Sequence, residues 1–161
     1  MQDSVAQCRH LLRLAQAAVD DLDDSHSALS PTSGRKTAGW LLGHLVVTAD
    51  GGRRICGREP LFPKDWRRMF GRGSQPSAIF AEYPPMADLR ALLATTYEDL
   101  CEAALSMSPE FAAATNPYEP GRAAFPSIGL FVRWILTGHL GYHLGQLTLW
   151  REAMGMEPPR T

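Results

Sequence analysis

Cysteine is scarce and scattered. Cys8, Cys56 and Cys101 are odd in number, and no CxxC pair occurs. A disulfide framework is excluded, as is C-type haem attachment, which needs CxxCH; reduced, mostly buried thiols are expected. Long apolar runs are missing too. The most apolar stretch, Ile128 to Tyr142, is broken by Arg133 and His139 and is shorter than the ~20 residues needed to cross a bilayer. No sign of charge dominates. Sixteen basic and seventeen acidic residues give a formal charge of −1 when the five histidines are counted as neutral. That balance argues against a broad phosphate-binding surface, so nucleic acid is not an expected partner; with no spanning stretch, neither is a membrane. The start, Met1-Gln2-Asp3, lacks the basic beginning and apolar core of a signal peptide, and a cytoplasmic location is expected. There is no internal repeat, low-complexity tract, strand alternation, GxGxxG or P-loop.

What is there is helical periodicity. With 161 residues and 45% apolar content, one domain over 1–161 is expected. Val5, Cys8, Leu12, Ala15, Val19 and Leu22 recur on one face and predict a helix over about 4–22, with Ser4 and Gln7 as a capping box. It closes on Asp20, Asp21, Asp23 and Asp24, which oppose the helix dipole and read as a solvated end or, alternatively, a cation-recruiting cluster. A polar connection with Pro31 and Gly34 follows. Thr37 is placed to cap a second helix that reaches Cys56 and stops at Gly57, with Trp40, Leu41, His44, Leu45 and Val47 on its apolar face.

From Gly57 to Pro85 the chain is rich in Pro and Gly, and residues 63–71 read as one short helical piece. A connection of this length implies a purpose, such as lining a pocket or making a subunit contact; Trp66, Met69 and Phe70 are the candidates for a dimer patch. A third helix is predicted over 86–107, with Leu89, Leu92, Leu93, Thr96, Leu100, Ala103 and Met107 as its stripe and Ser108-Pro109 as its end. After a second connection, the last helix runs from Pro126-Ser127 to Gly155 and Pro158-Pro159. Four amphipathic segments predict an all-α, four-helix bundle with two long connections.

His139 and His143 stand four apart on the last helix. That spacing puts both imidazoles on one face, roughly 6 Å apart along the axis, close enough to share one ion. Val132, Ile135, Leu136, Leu147 and Trp150 extend the same face. Buried imidazoles need partners for both nitrogens, and a metal on one with an acceptor on the other satisfies both. His44 raises the same question on the second helix and could meet the pair across a bundle. The alternative is that all three are hydrogen-bonded core residues. His10 and His26 read as ordinary. A zincin is excluded because Leu140, not Glu, follows His139, and a carboxylate-bridged di-iron site because no Glu-x-x-His occurs. The glycines Gly138, Gly141 and Gly145 suggest tight helix or dimer packing, or close approach around a metal pocket.

Three pieces give the chain a familial look: Trp40-Leu41-Leu42-Gly43-His44-Leu45; His139-Leu140-Gly141-Tyr142-His143-Leu144-Gly145-Gln146-Leu147 with Arg151-Glu152-Ala153-Met154-Gly155; and Phe70-Gly71-Arg72-Gly73-Ser74 with Tyr83-Pro84. In order and spacing these resemble the DinB/YfiT-like superfamily of four-helix bundles over nearly the whole chain. The resemblance implies one divalent metal ion held by His44, His139 and His143, and a homodimer. It also implies chemistry of the kind in which a low-molecular-weight thiol attacks a small-molecule electrophile, without naming the substrate or the thiol.

Three neutral imidazoles leave an open position on the ion, the pattern of a catalytic rather than a structural zinc site. Zn, Ni and Fe all accept imidazole. A thiol or water there would be deprotonated more readily and could attack an electrophile, as in an S-transferase or a hydrolase. Gln146, one turn beyond His143, is the candidate catalytic-site group, either supporting a metal ligand or contacting substrate, with a helix-packing amide as the alternative; Thr48, four residues after His44, is a second candidate. A non-catalytic, metal- or small-molecule-binding dimeric bundle is the competing reading.

Overall fold

The computed structural model describes residues 1–32 and 36–159; Gly34 of the first connection lies outside them. Four long helical stretches form the bundle: α1 (Gln2–Val19), α2 (Ala38–Ile55), α4 (Met86–Leu105) and a final stretch over 128–153. The short helices α3 (Lys64–Phe70), α5 (Pro109–Ala113) and α6 (Glu119–Arg122) lie in the connections. Among the described residues there is no β-strand, only an isolated bridge between Thr115 and Ser127. None of their helices is long and apolar enough to cross a membrane. Helices α1 and α2 both lie against α4 and against the final stretch, whose middle also touches α4. The core is built from the apolar stripes, with Leu12, Leu42, Leu93, Leu100, Leu136 and Leu147 among its buried residues.

Helix ends follow local chemistry in most places. Thr37 Oγ1 accepts the Trp40 amide at 3.2 Å, as a cap should. Gly57 takes a left-handed φ of 88° after α2, and Gly155 one of 70° after the last helix. The capping box expected of Ser4 and Gln7 does not form. Helix α1 begins at Gln2 with Met1 as an N-cap that offers no side-chain bond, so Ser4 lies inside the first turn, and Met1 itself packs against the core. Ser108-Pro109 does more than end a helix: Ser108 caps α5, accepting the Phe111 amide at 3.2 Å.

The four acids after α1 are exposed, as a solvated helix end should be, and three of them also make bonds. Asp21 takes Arg151 in two bonds of 2.5 and 2.9 Å. Asp23 accepts Ser25 N at 3.0 Å and caps a 3-10 turn. Asp24 accepts Met86 N at 2.6 Å and so starts α4, while Arg90 donates to the Asp20 carbonyl. Carboxylates that oppose the dipole of their own helix thereby serve the start of another.

The last stretch is not uniform. Helix α7 (Ile128–Trp134) widens into a π-helical turn (Ile135–His139) before α8 (Leu140–Ala153) resumes. Within that turn the Thr137 hydroxyl donates to the Arg133 carbonyl at 2.8 Å, supplying a donor where the regular ladder shifts. Within the chain, the close helix approach expected at the three helical glycines is not seen. A Cβ on Gly145 would meet nothing within 4 Å, one on Gly141 only Leu11 at 3.9 Å, and one on Gly138 the ring of Trp134 in its own helix, at 2.2 Å. Close approach occurs instead at Gly43, where a Cβ would sit 2.4 Å from the Phe70 ring.

Candidate metal centre

Helix α2 and the last helical stretch bring His44, His139 and His143 together, with one ligand-capable atom of each lying within 4.8 Å of the others. His44 and His143 are buried and His139 half-buried. The ring centroids are 5.1 Å (His44–His139), 4.6 Å (His44–His143) and 4.5 Å (His139–His143) apart. The π-turn ends at His139, so the widened backbone sets the phase of this ring against that of His143 one turn on.

Two of the rings have fixed tautomers. His44 Nδ1 lies 2.6 Å from the Phe70 carbonyl. A carbonyl only accepts, so Nδ1 carries the proton and Nε2 presents a lone pair. His143 Nδ1 likewise donates to Gln146 Oε1 at 2.7 Å, and Gln146 Nε2 donates to the Tyr142 hydroxyl at 3.3 Å. Gln146 thus acts on His143 rather than facing the reaction space directly. The third ring is less settled. His139 Nε2 sits 3.2 Å from His44 Nε2, while its buried Nδ1 has no hydrogen-bond partner.

Burial makes all three rings neutral at pH 7. It lowers His44, and, with the neighbouring His143 and His44 adding to it, brings His139 down to about 3. His143 falls to about 4, again mainly through burial and then through His44, with the Gln146 bond opposing. Neutral imidazoles are the ligating form. The spacing suits an ion as well: Zn–N bonds of about 2.0–2.1 Å in a tetrahedron put neighbouring nitrogens about 3.3 Å apart, close to the 3.2 Å between His44 and His139. The cluster fits a metal-binding role.

A scaffold behind His44 completes the floor. Trp40 stacks on its ring at 4.7 Å and 8°, and donates Nε1–H to Ser74 Oγ at 2.9 Å. Ser74 in turn donates to the Gly71 carbonyl at 2.8 Å. Lys36 lies 3.6 Å over the Trp40 ring and donates to the Ser74 carbonyl at 2.9 Å. The 57–85 connection thereby presents the Phe70 carbonyl to His44. Phe70 itself is fully buried, which removes it from the expected dimer patch. Trp66 is half-buried, stacked on Phe62 at 4.6 Å, and Met69 alone of the three is exposed.

Above the histidines lies a cavity of about 930 Å³. Thr48 lines it, as do Tyr118, Phe125, Phe131, Trp134 and Tyr142, and three arginines, Arg54, Arg67 and Arg72. Sequence reasoning missed the Phe70 carbonyl, which has no side-chain signature, and the arginines, which come from separate segments. Gly43 was the available clue to Phe70, since a glycine inside a helix leaves room for another segment to approach closely. His10 is exposed, and His26 takes part in capping the 3-10 turn, away from the cluster.

No curated protein sequence gives a significant match to the chain. Residues 7–147 match the family model of the DinB superfamily.

Proposed function

We propose, since the chain belongs to the DinB superfamily, that His44, His139 and His143 hold one divalent metal ion and that the protein is a metal-dependent enzyme, in which a thiol or water attacks a small electrophile. The observation that carries this reading is the pair of lone-pair-bearing nitrogens, His44 Nε2 and His143 Nε2, converging on His139 beneath an open cavity. A bound ion would supply Lewis acidity, lowering the pKa of a thiol or water to the physiological range.

The residues around it do the positioning. The Phe70 carbonyl and Gln146 Oε1 each hold one imidazole proton, which fixes ring orientation and raises the basicity of the opposite nitrogen. Trp40 braces His44 from behind. The aromatic wall of Phe125, Phe131 and Trp134 lowers the local dielectric, so charge in the cavity interacts more strongly than in water. The volume, about 930 Å³, accommodates an electrophile together with a small thiol.

Element-resolved analysis of untagged protein tests the reading. About one ion per chain is expected, lost in His44→Ala and His143→Ala. Absence of metal in wild type, with folding unchanged in both variants, would overturn it. Thiol consumption across a panel of electrophiles then separates catalysis from simple binding. Turnover with a thiol supports a transferase, turnover without one a hydrolase, and none with any pair rejects the enzymatic part.

A further inference from the structure

The arginines of this chain are treated in two different ways. Arg53 and Arg54 are adjacent in α2, and Arg67 and Arg68 are adjacent in α3. In each pair one member has an acid. Arg53 is buried between Asp50, at 2.8 Å, and Asp99, while Arg68 lies 3.2 Å from Asp65. The other member, Arg54 or Arg67, lines the cavity over the histidines, and Arg72 joins them from the segment after α3. Among the described residues no ion pair or side-chain hydrogen bond engages these three guanidinium groups, and no Asp or Glu lines the cavity. A chain whose formal charge is −1 therefore concentrates three uncompensated positive charges at one opening.

The three are exposed whereas His44 and His143 keep only 7% exposure, so the arginines form the mouth and the histidines the floor. Along α2, Arg54 lies about 15 Å beyond His44, from the ~1.5 Å rise per residue. Helical side chains lean toward the N-terminus, which brings this guanidinium back over the cavity. Tyr118, Phe125, Phe131 and Trp134 supply aromatic lining to the same cavity. Guanidinium groups match carboxylate and phosphate oxygens in geometry as well as charge.

We infer that the cavity binds a small amphiphilic organic anion, its carboxylate or phosphate held by Arg54, Arg67 and Arg72 and its apolar body laid on the aromatic wall, with its other end directed to the histidines. As the substrate class of the proposed reaction, such an anion presupposes that the three histidines form the reactive floor; anion binding itself does not.

The test uses chelator-treated full-length protein and three probes of one shape: 2-naphthoate, 2-naphthyl phosphate and the neutral 2-naphthylmethanol, titrated by calorimetry. At least one anion is expected to bind once per chain and ten-fold or more tighter than the neutral probe. Which anion is preferred distinguishes carboxylate from phosphate recognition. Arg54→Gln combined with Arg72→Gln should reduce anion affinity to the level of the neutral probe and leave the latter unchanged. Arg58→Gln, an exposed arginine outside this cavity, should change neither. Equal affinity for charged and neutral probes, insensitivity to the double substitution, or failure of all three probes to bind would overturn the inference. Metal content, measured separately in the same variants, reports on the histidines independently: loss of anion binding with metal retained, or the reverse, separates the two conclusions.

Discussion

His44 Nε2 and His139 Nε2 face one another at 3.2 Å, and only one proton can lie between them. Neutral His44 carries its one proton on Nδ1, which donates to the Phe70 carbonyl, so in the metal-free protein the shared proton belongs to His139 Nε2. An ion in that place requires His139 to carry its proton on Nδ1 instead. Nitrogen NMR of histidine-labelled protein should therefore show His139 changing tautomer when zinc is added, while His44 and His143 keep Nδ1–H throughout. A His139 signal unmoved by stoichiometric zinc would count against the arrangement.

Acid should destabilise the metal-free protein before its carboxylates are protonated. His139 is held near pH 3 and His143 near 4, both below their ordinary 6.5. The unfolded chain then binds more protons than the folded one, so stability is fully present above about pH 6.5 and falls as the pH drops through this window. Urea midpoints should decline between pH 7 and 5, and His139→Leu should flatten that slope. A profile in wild type that is level down to pH 5 would be incompatible with burial of neutral rings.

Gln146 contributes through His143. Replacing it with Ala removes the acceptor at 2.7 Å but leaves the three rings in place. Metal affinity, read by competition with a chromophoric chelator, should fall 10- to 100-fold, the usual effect of losing such a partner, while the helical circular dichroism stays unchanged. Affinity equal to wild type would assign Gln146 to helix packing alone.

Two glycine substitutions should act in opposite directions. Gly43→Ala places a methyl 2.4 Å from the Phe70 ring, and such overpacking destabilises by about 1–3 kcal/mol. Gly145→Ala meets open space and should stabilise by about 1 kcal/mol through helix propensity. Denaturant unfolding gives both signs, and only the first variant should also weaken metal binding, because a displaced Phe70 carries its carbonyl away from His44.

The bundle was legible because burial imposes a period that sequence records directly: the α2 cap at Thr37, the stop at Gly57 and the short piece before Gly71 all stand where residue chemistry predicts. The histidine cluster was legible for the same reason, since a spacing of four fixes one face and an apolar setting makes a polar ring conspicuous. The start of α1 differs because Ser4 and Gln7 satisfy a local capping pattern while the helix already runs through Ser4 from Gln2, with Met1 packed on the core. The π-turn left no mark, because Ile135, Leu136 and Gly138 fit an ordinary helix as well. Neither the Phe70 carbonyl nor the arginine mouth could be read, one being backbone and the other assembled from segments that meet only on folding.

Helix α3 has seven residues, yet it contributes Arg67 to the rim of the cavity, the ring of Phe70 to the core beneath α2, and the Phe70 carbonyl to His44. Doorway and hearth share one beam. An outward swing of α3 that widened the entrance would draw the Phe70 carbonyl away from His44 in the same movement, so along this one path the admission of a ligand and the orientation of an imidazole are mechanically coupled.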